Sequence, residues 1–142
     1  MARALFIDTW GWVALGHRRD SRHLEVSEVY RTLRDQNRPI YTSDYVLDEA
    51  ITLIFRREVY ADALRFITGL LKSADQKFFA IERISAERFL EAWKLRQRFQ
   101  DKPLISFTDL TSMVLMQEHH IKQILTDDDH FEQVGMKFQR VP

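Results

Sequence analysis

Five short apolar runs punctuate the chain, and between them apolar residues return at helical intervals. The runs are ALFID (4–8), RPIYTS (38–43), KFFAIERI (77–84), IKQILT (121–126) and MKFQRV (136–141). ALFID is apolar up to its final acid, which suits a strand buried on both faces, as in a parallel sheet. The intervening segments 22–37, 44–57, 61–73, 85–99 and 107–120 carry helical spacing, as at Val26, Val29, Tyr30 and Leu33. Thr42 or Ser43 is placed to cap the helix 44–57, and Ser85 opens the helix 85–99 without the acid three residues on that a full capping box needs. Strands alternating with helices predict an α/β fold: a three-layer α/β/α domain around a central, mainly parallel sheet of about five strands. In such sheets, sites form beyond the C-terminal strand ends, where strand order reverses.

Composition narrows the function. A chain of 142 residues, 45% hydrophobic and 30% charged, predicts one soluble domain over residues 1–142. No cysteine is present, which excludes disulfides, zinc–thiolate sites and thiol catalysis. Basic and acidic residues balance at 21 each, so nucleic-acid binding has to come from local arrangement rather than net charge. The opening MARALFID is too short and too soon acidic for a signal peptide, and no apolar run reaches membrane-spanning length. The expected location is the cytoplasm, with no membrane partner.

The strand-end rule singles out acids. Asp8 ends the first strand, and Asp127, Asp128 and Asp129 follow the fourth; if those strands are neighbours, the carboxylates converge. On the helix after the second strand, at ~100° per residue, Val46, Leu47, Ala50, Ile51, Leu53 and Ile54 form one stripe. Glu49 falls on the border of that stripe, and Asp48 on the far side. Asp109 lies on the apolar side of its helix, in the first turn, where the dipole favours a carboxylate but burial opposes it. Taken singly, each acid has a plain structural role: a cap, a helix-start charge, a solvated border residue. Asp129 with Glu132 three residues on forms a possible capping box for the short turn HFEQV. Together, clustered carboxylates call for a cation. Carboxylate oxygen suits Mg²⁺ or Mn²⁺, and an ion held this way serves phosphodiester hydrolysis by activating water and polarising a phosphoryl oxygen. The chain has no Walker glycine loop, no G-x-S-x-G and no H-E-x-x-H.

The segments FIDTWGWVAL, TSDYVLDEAITL, FTDLTSMVLM and LTDDDHFEQVG, in this order and spacing, resemble PIN-domain ribonucleases. Among these, the segments resemble the VapC-type toxins of bacterial toxin–antitoxin pairs, over nearly the whole chain. The resemblance implies a PIN-like fold and a Mg²⁺/Mn²⁺-dependent endoribonuclease. Its acidic pocket would comprise Asp8, Glu49, Asp109 and a fourth acid from a Thr-x-Asp-x-x-Phe pattern, here Thr126, Asp128 and Phe131. Thr9 and Thr126 would be polar supports. Relatives more often carry an apolar or basic residue beside the fourth acid, so Asp127 as well as Asp128 is open for that place. The resemblance further implies an RNA substrate, a homodimer and a cognate antitoxin protein. The alternative is a PIN-like module that binds RNA or protein without cutting. A phosphate-accepting receiver domain would need a pair of acids at the first strand end, whereas Asp8 follows Ile7.

Other residues divide between structure and function. His17, Arg18, Arg19, Arg22 and His23 either contact RNA phosphates or form a solvated loop. Arg56 and Arg57 suit a helix C-terminus better than an RNA contact. Trp10 and Trp12 are expected to pack rather than stack on bases, and Phe89, Trp93 and Phe99 to face the core or a partner. His119 and His120 read as helix-end charges, and His130 stands nearest the acids.

Overall fold

The computed structural model describes residues 3–142; residues 1 and 2, which open the N-terminal run weighed as a leader, lie outside the described residues. Five strands form one sheet: β1 (Leu5–Ile7), β2 (Ile40–Ser43), β3 (Ala80–Glu82), β4 (Gln123–Leu125) and β5 (Gln139–Val141). Their order is β3-β2-β1-β4-β5 and every pairing is parallel, with Ile7 opposite Leu125 and Leu5 opposite Ile40. The expected strands are all present, trimmed to cores of three or four residues. Chain order runs outward from β1 in both directions, so β1 and β4 flank the switch point, and the expected neighbours do meet.

Seven helices cover the sheet among the described residues: α1 (Thr9–Gly16), α2 (His23–Asp35), α3 (Asp44–Arg57), α4 (Tyr60–Asp75), α5 (Ala86–Arg98), α6 (Phe107–Glu118) and α7 (His130–Gln133). Ser43 caps α3 by accepting the Val46 N–H at 3.1 Å. Thr42 instead donates to the Ile7 carbonyl and accepts from the Trp12 indole, both at 2.9 Å. Ser85 and Ser106 cap α5 and α6 in the same way as Ser43. Helix α1 was not expected, because TWGWVALG is apolar on all sides and carries no helical stripe. It is buried along most of its length, which is where such a helix belongs. Two glycines let it approach its neighbours closely. A Cβ on Gly11 would meet Ile7 Cγ2 at 2.9 Å, and one on Gly16 would meet Phe66 at 2.8 Å.

The core lies on both sheet faces, with Leu5, Phe6, Ile7, Ile124 and Leu125 wholly buried. No described helix is long and apolar enough to cross a membrane.

Candidate active site

Asp8 follows β1 immediately and forms the N-cap position of α1. Asp109 is the third residue of α6, fixed by the Ser106 hydroxyl accepting its N–H at 3.0 Å. Both are buried, at 6% and 8% exposure. Glu49 projects from the second turn of α3, and Asp128 lies in the loop after β4. These four acids line one cleft of about 330 Å³, together with Thr9, Trp10, Arg57, Leu104, Ser106, Asp127 and His130 among others. Asp48 and Glu49 are both exposed, and of the two only Glu49 lines the cleft.

The β4 end is held to the β1 end by one hydroxyl. Thr126 Oγ1 donates to Asp8 Oδ2 at 2.9 Å and accepts the Asp128 N–H at 3.1 Å. Asp128 Oδ1 in turn accepts the His130 N–H at 2.8 Å. This last bond replaces the capping box expected between Asp129 and Glu132: Asp129 stands at the N-cap of α7 but makes no side-chain cap bond. The His130 ring bridges two of the acids, with Nδ1 2.9 Å from Asp128 Oδ2 and 3.4 Å from Asp109 Oδ2. Asp128, Asp109 and His130 offer ligand atoms that lie mutually within 4.8 Å. Asp127 reaches the cleft wall but is exposed, and its backbone carbonyl accepts from Arg140 at 3.0 Å.

The charges are poorly compensated. Burial, then repulsion from Asp109, pushes the Asp8 carboxyl up from 3.8 to about 7, against the opposing bonds from the Thr9 N–H and Thr126. Burial likewise raises Asp109 to about 6; the His130 bond works against this, while Asp128 and Glu49 repel. Burial also raises Asp127. No Lys or Arg is ion-paired with Asp8, Glu49, Asp109 or Asp128 among the described residues. A second acid–histidine group shows the contrast. There Arg88 bonds both Glu82 and Glu118, beside His119, so the negative charge is already met. A larger groove of about 580 Å³ along the β3 edge, lined by Arg34, Arg38, Lys77 and Arg83, includes none of the four acids.

A divalent cation fits this donor set. The oxygens are carboxylates of the kind hard cations take, and the buried Thr9 hydroxyl beside Asp8 has no hydrogen-bond partner within the protein. An orphaned oxygen in an acidic cleft is answered by an ion or its water.

Two residues read mainly as structural line the cleft. Arg57 faces the cleft rather than serving only the helix dipole. Trp10 lines it as well, whereas Trp12 is core, 2% exposed and packed on Phe79 at 5.0 Å. Of the 17–23 cations, His17 is paired with Glu58 at 2.5 Å and His23 contacts the Ala14 carbonyl at 2.7 Å, so both are structural; Arg18 and Arg19 are exposed.

A parallel α/β/α sandwich with an acid-lined cleft at its switch point fits the class of α/β/α nucleases. The PIN-domain family model matches residues 5–137, and the chain belongs to that family. It is 29% identical to the 23S rRNA-specific endonuclease VapC20 of Mycobacterium tuberculosis, in two strains, over 136 residues that cover 92% of this chain and 94% of the relative. The crystal structure of M. tuberculosis VapC20, a sarcin–ricin loop cleaving toxin, superposes with a TM-score of 0.77 at 27% identity, covering 92% of this chain and 95% of the other.

Proposed function

We propose that the chain is a divalent-metal-dependent endoribonuclease, acting as one domain over residues 1–142 and as the toxin of a toxin–antitoxin pair. One observation carries the reading: the acids from four separate places in the chain meet in one cleft, two of them raised to about 7 and about 6 by burial first and then by the charge of neighbouring acids. Asp8, Glu49, Asp109 and Asp128 would hold Mg²⁺ or Mn²⁺. Such an ion, when bound, supplies charge neutralisation at a phosphodiester and acidifies a water. The rest is the work of the chain. Thr126 orients Asp8, and through its bond to the Asp128 N–H it sets the loop that carries the fourth acid. His130 fixes the Asp128 and Asp109 carboxylates relative to each other. Thr9 would offer its hydroxyl, unpartnered within the protein, to the ion's shell, and Arg57 would give an approaching polyanion a cation on the wall. Asp128 is preferred to Asp127 as the fourth acid because it shares the Asp109–His130 cluster.

The substrate class is RNA. The relatives' target, 23S rRNA, is the first RNA to test. Two exposed apolar strips, Phe89, Leu90 and Trp93 on α5 and Tyr60, Leu64 and Leu71 on α4, supply surface for a second copy and for an antitoxin. The proposed location is the cytoplasm.

The test is cleavage of ribosomal RNA and of a mixed RNA pool with Mn²⁺, Mg²⁺ or EDTA, comparing wild type with Asp109→Asn. Discrete metal-dependent products that vanish in a folded Asp109→Asn protein are expected. Equal cutting by both proteins would remove the pocket assignment. A binding module without cleavage is the second reading, and it leaves the repulsive acids unexplained.

A further inference from the structure

We infer that Trp10 forms a nucleobase subsite on the wall of the acidic cleft, taking an unpaired base of the RNA beside the reacting phosphodiester. The inference rests on the nuclease reading above and adds what holds the substrate there.

The two tryptophans that flank Gly11 have been assigned different tasks by the fold. Trp12 is enclosed: its indole N–H donates to Thr42, and Tyr30 and Phe79 pack against its ring. Trp10, two residues earlier in α1, faces the other way and is only partly buried. Its neighbours on the cleft wall include Asp8, Thr9, Asp127 and Asp128. Part of the ring packs against the core, and what stays uncovered shares the cleft wall with acids that prefer water or a cation. Over the ring lies Arg22, whose guanidinium carbon is 5.1 Å from the centroid. Arg22 is 42% exposed, and its ion pair is with the similarly exposed Glu25. Surface pairs of this kind hold a side chain weakly. A base offers the ring a larger π face than a guanidinium does, and sequence-tolerant stacking of a base on an aromatic side chain is the usual means of seating single-stranded RNA. An Arg22 displaced from the ring leaves a cation at the edge of the cleft. Its field already reaches Asp127 there. An acidic pocket that receives a polyanion needs both: an uncharged contact that does not repel RNA, and a cation that attracts it.

The test uses the full chain, with short single-stranded RNA oligonucleotides of mixed sequence as probe, and two independent readouts. The first is steady-state cleavage with Mn²⁺ by wild type, Trp10→Ala, Trp10→Leu and Trp10→Phe. Stacking predicts KM raised roughly 5-fold or more in the Ala and Leu variants, within the ~5- to 150-fold range of a base–aromatic contact. It also predicts restoration by Phe. A packing role would instead be met by Leu. The second readout is tryptophan fluorescence of uncleaving Asp8→Asn protein, with and without Trp10→Phe, as RNA is added. Quenching that disappears with Trp10→Phe is expected. Unchanged KM in folded Trp10→Ala protein, or quenching that persists without Trp10, would overturn the subsite. Should wild type cut no RNA, the nuclease reading fails and the fluorescence arm still decides whether Trp10 contacts a base.

Discussion

At the residue scale, Asp8 and Asp109 are held against their chemistry. Each has a folded-state value above the ordinary 3.8, about 7 and about 6, so the metal-free folded chain binds protons that the unfolded chain has released. Stability must then fall as pH rises from about 4 to about 7, the reverse of the usual carboxylate pattern. The loss is complete above the folded value of Asp8. For that residue alone it amounts to a few kcal/mol, on the order of 2–4. Urea titrations in EDTA at pH 5 and pH 8 check this: wild type should be the more stable at pH 5 by about two thirds of that margin, since part of the loss already falls between pH 4 and 5, and Asp8→Asn should remove most of the difference. A second residue-scale prediction concerns Thr126, whose hydroxyl serves both Asp8 and the Asp128 N–H. Thr126→Val keeps the shape and strands both partners, so a loss of about 1–3 kcal/mol is expected in the same titrations. Cleavage should fall further than stability does, because the Asp128 loop loses its anchor. Strand ends and helix faces singled out Asp8, Glu49 and Asp109 and the Asp127–Asp129 run, while the choice of Asp128 within that run came from the resemblance and left Asp127 open. The bridge that His130 makes between Asp128 and Asp109 was not legible, because it depends on how one loop folds back, and no spacing encodes that.

At the scale of elements, the sequence showed helices that have one wet face and hid the one that has none. The segment 44–57 alternates buried and exposed positions, and α3 matches it residue for residue. TWGWVALG has no such contrast, so α1 was legible only after its burial was known. Yet α1 carries Thr9 and Trp10 into the cleft and begins at Asp8, so its seating decides the site. Gly11 is what permits that seating, through contacts to Ile7 and Leu125 that a Cβ would tighten to 2.9 and 3.1 Å. Gly11→Ala should therefore destabilise the fold by about 1–3 kcal/mol through overpacking. It should also lower cleavage by more than Gly69→Ala on α4, where a Cβ would meet nothing within 4 Å. Paired melting curves and cleavage rates for the two variants measure both effects. The strands were found in the right places but drawn too long. Flanking apolar residues such as Phe79, Ile121 and Phe138 are buried by helices and loops rather than by strand pairing, and hydrophobicity does not distinguish the two.

At the scale of the whole molecule, topology concentrates charge that composition balances. Net charge is zero, yet the parallel order places the ends of β1 and β4 side by side and delivers Asp8 and Asp128 to one cleft, where α3 and α6 add Glu49 and Asp109. The global fold thus carries a local electrostatic cost that a bound cation would offset, and the two should be linked. An ion that binds only the folded chain stabilises it by about 2.7 kcal/mol when present at 100 times its dissociation constant. For a chain of this size that corresponds to a rise in Tm of roughly 5–10 °C. Mn²⁺ titration of the metal-free protein, followed by thermal melting at pH 8, should show such a rise. Folded Asp8→Asn and Asp109→Asn proteins should start from a higher Tm than wild type in EDTA, because each removes a buried charge, and should gain less from Mn²⁺. The crossing of the two trends makes the measurement decisive. Acids kept only for structure would show no Mn²⁺ response in any of the three proteins. Surface binding elsewhere would shift all three alike. Only a cation held in the cleft makes the wild type least stable without metal and most responsive with it.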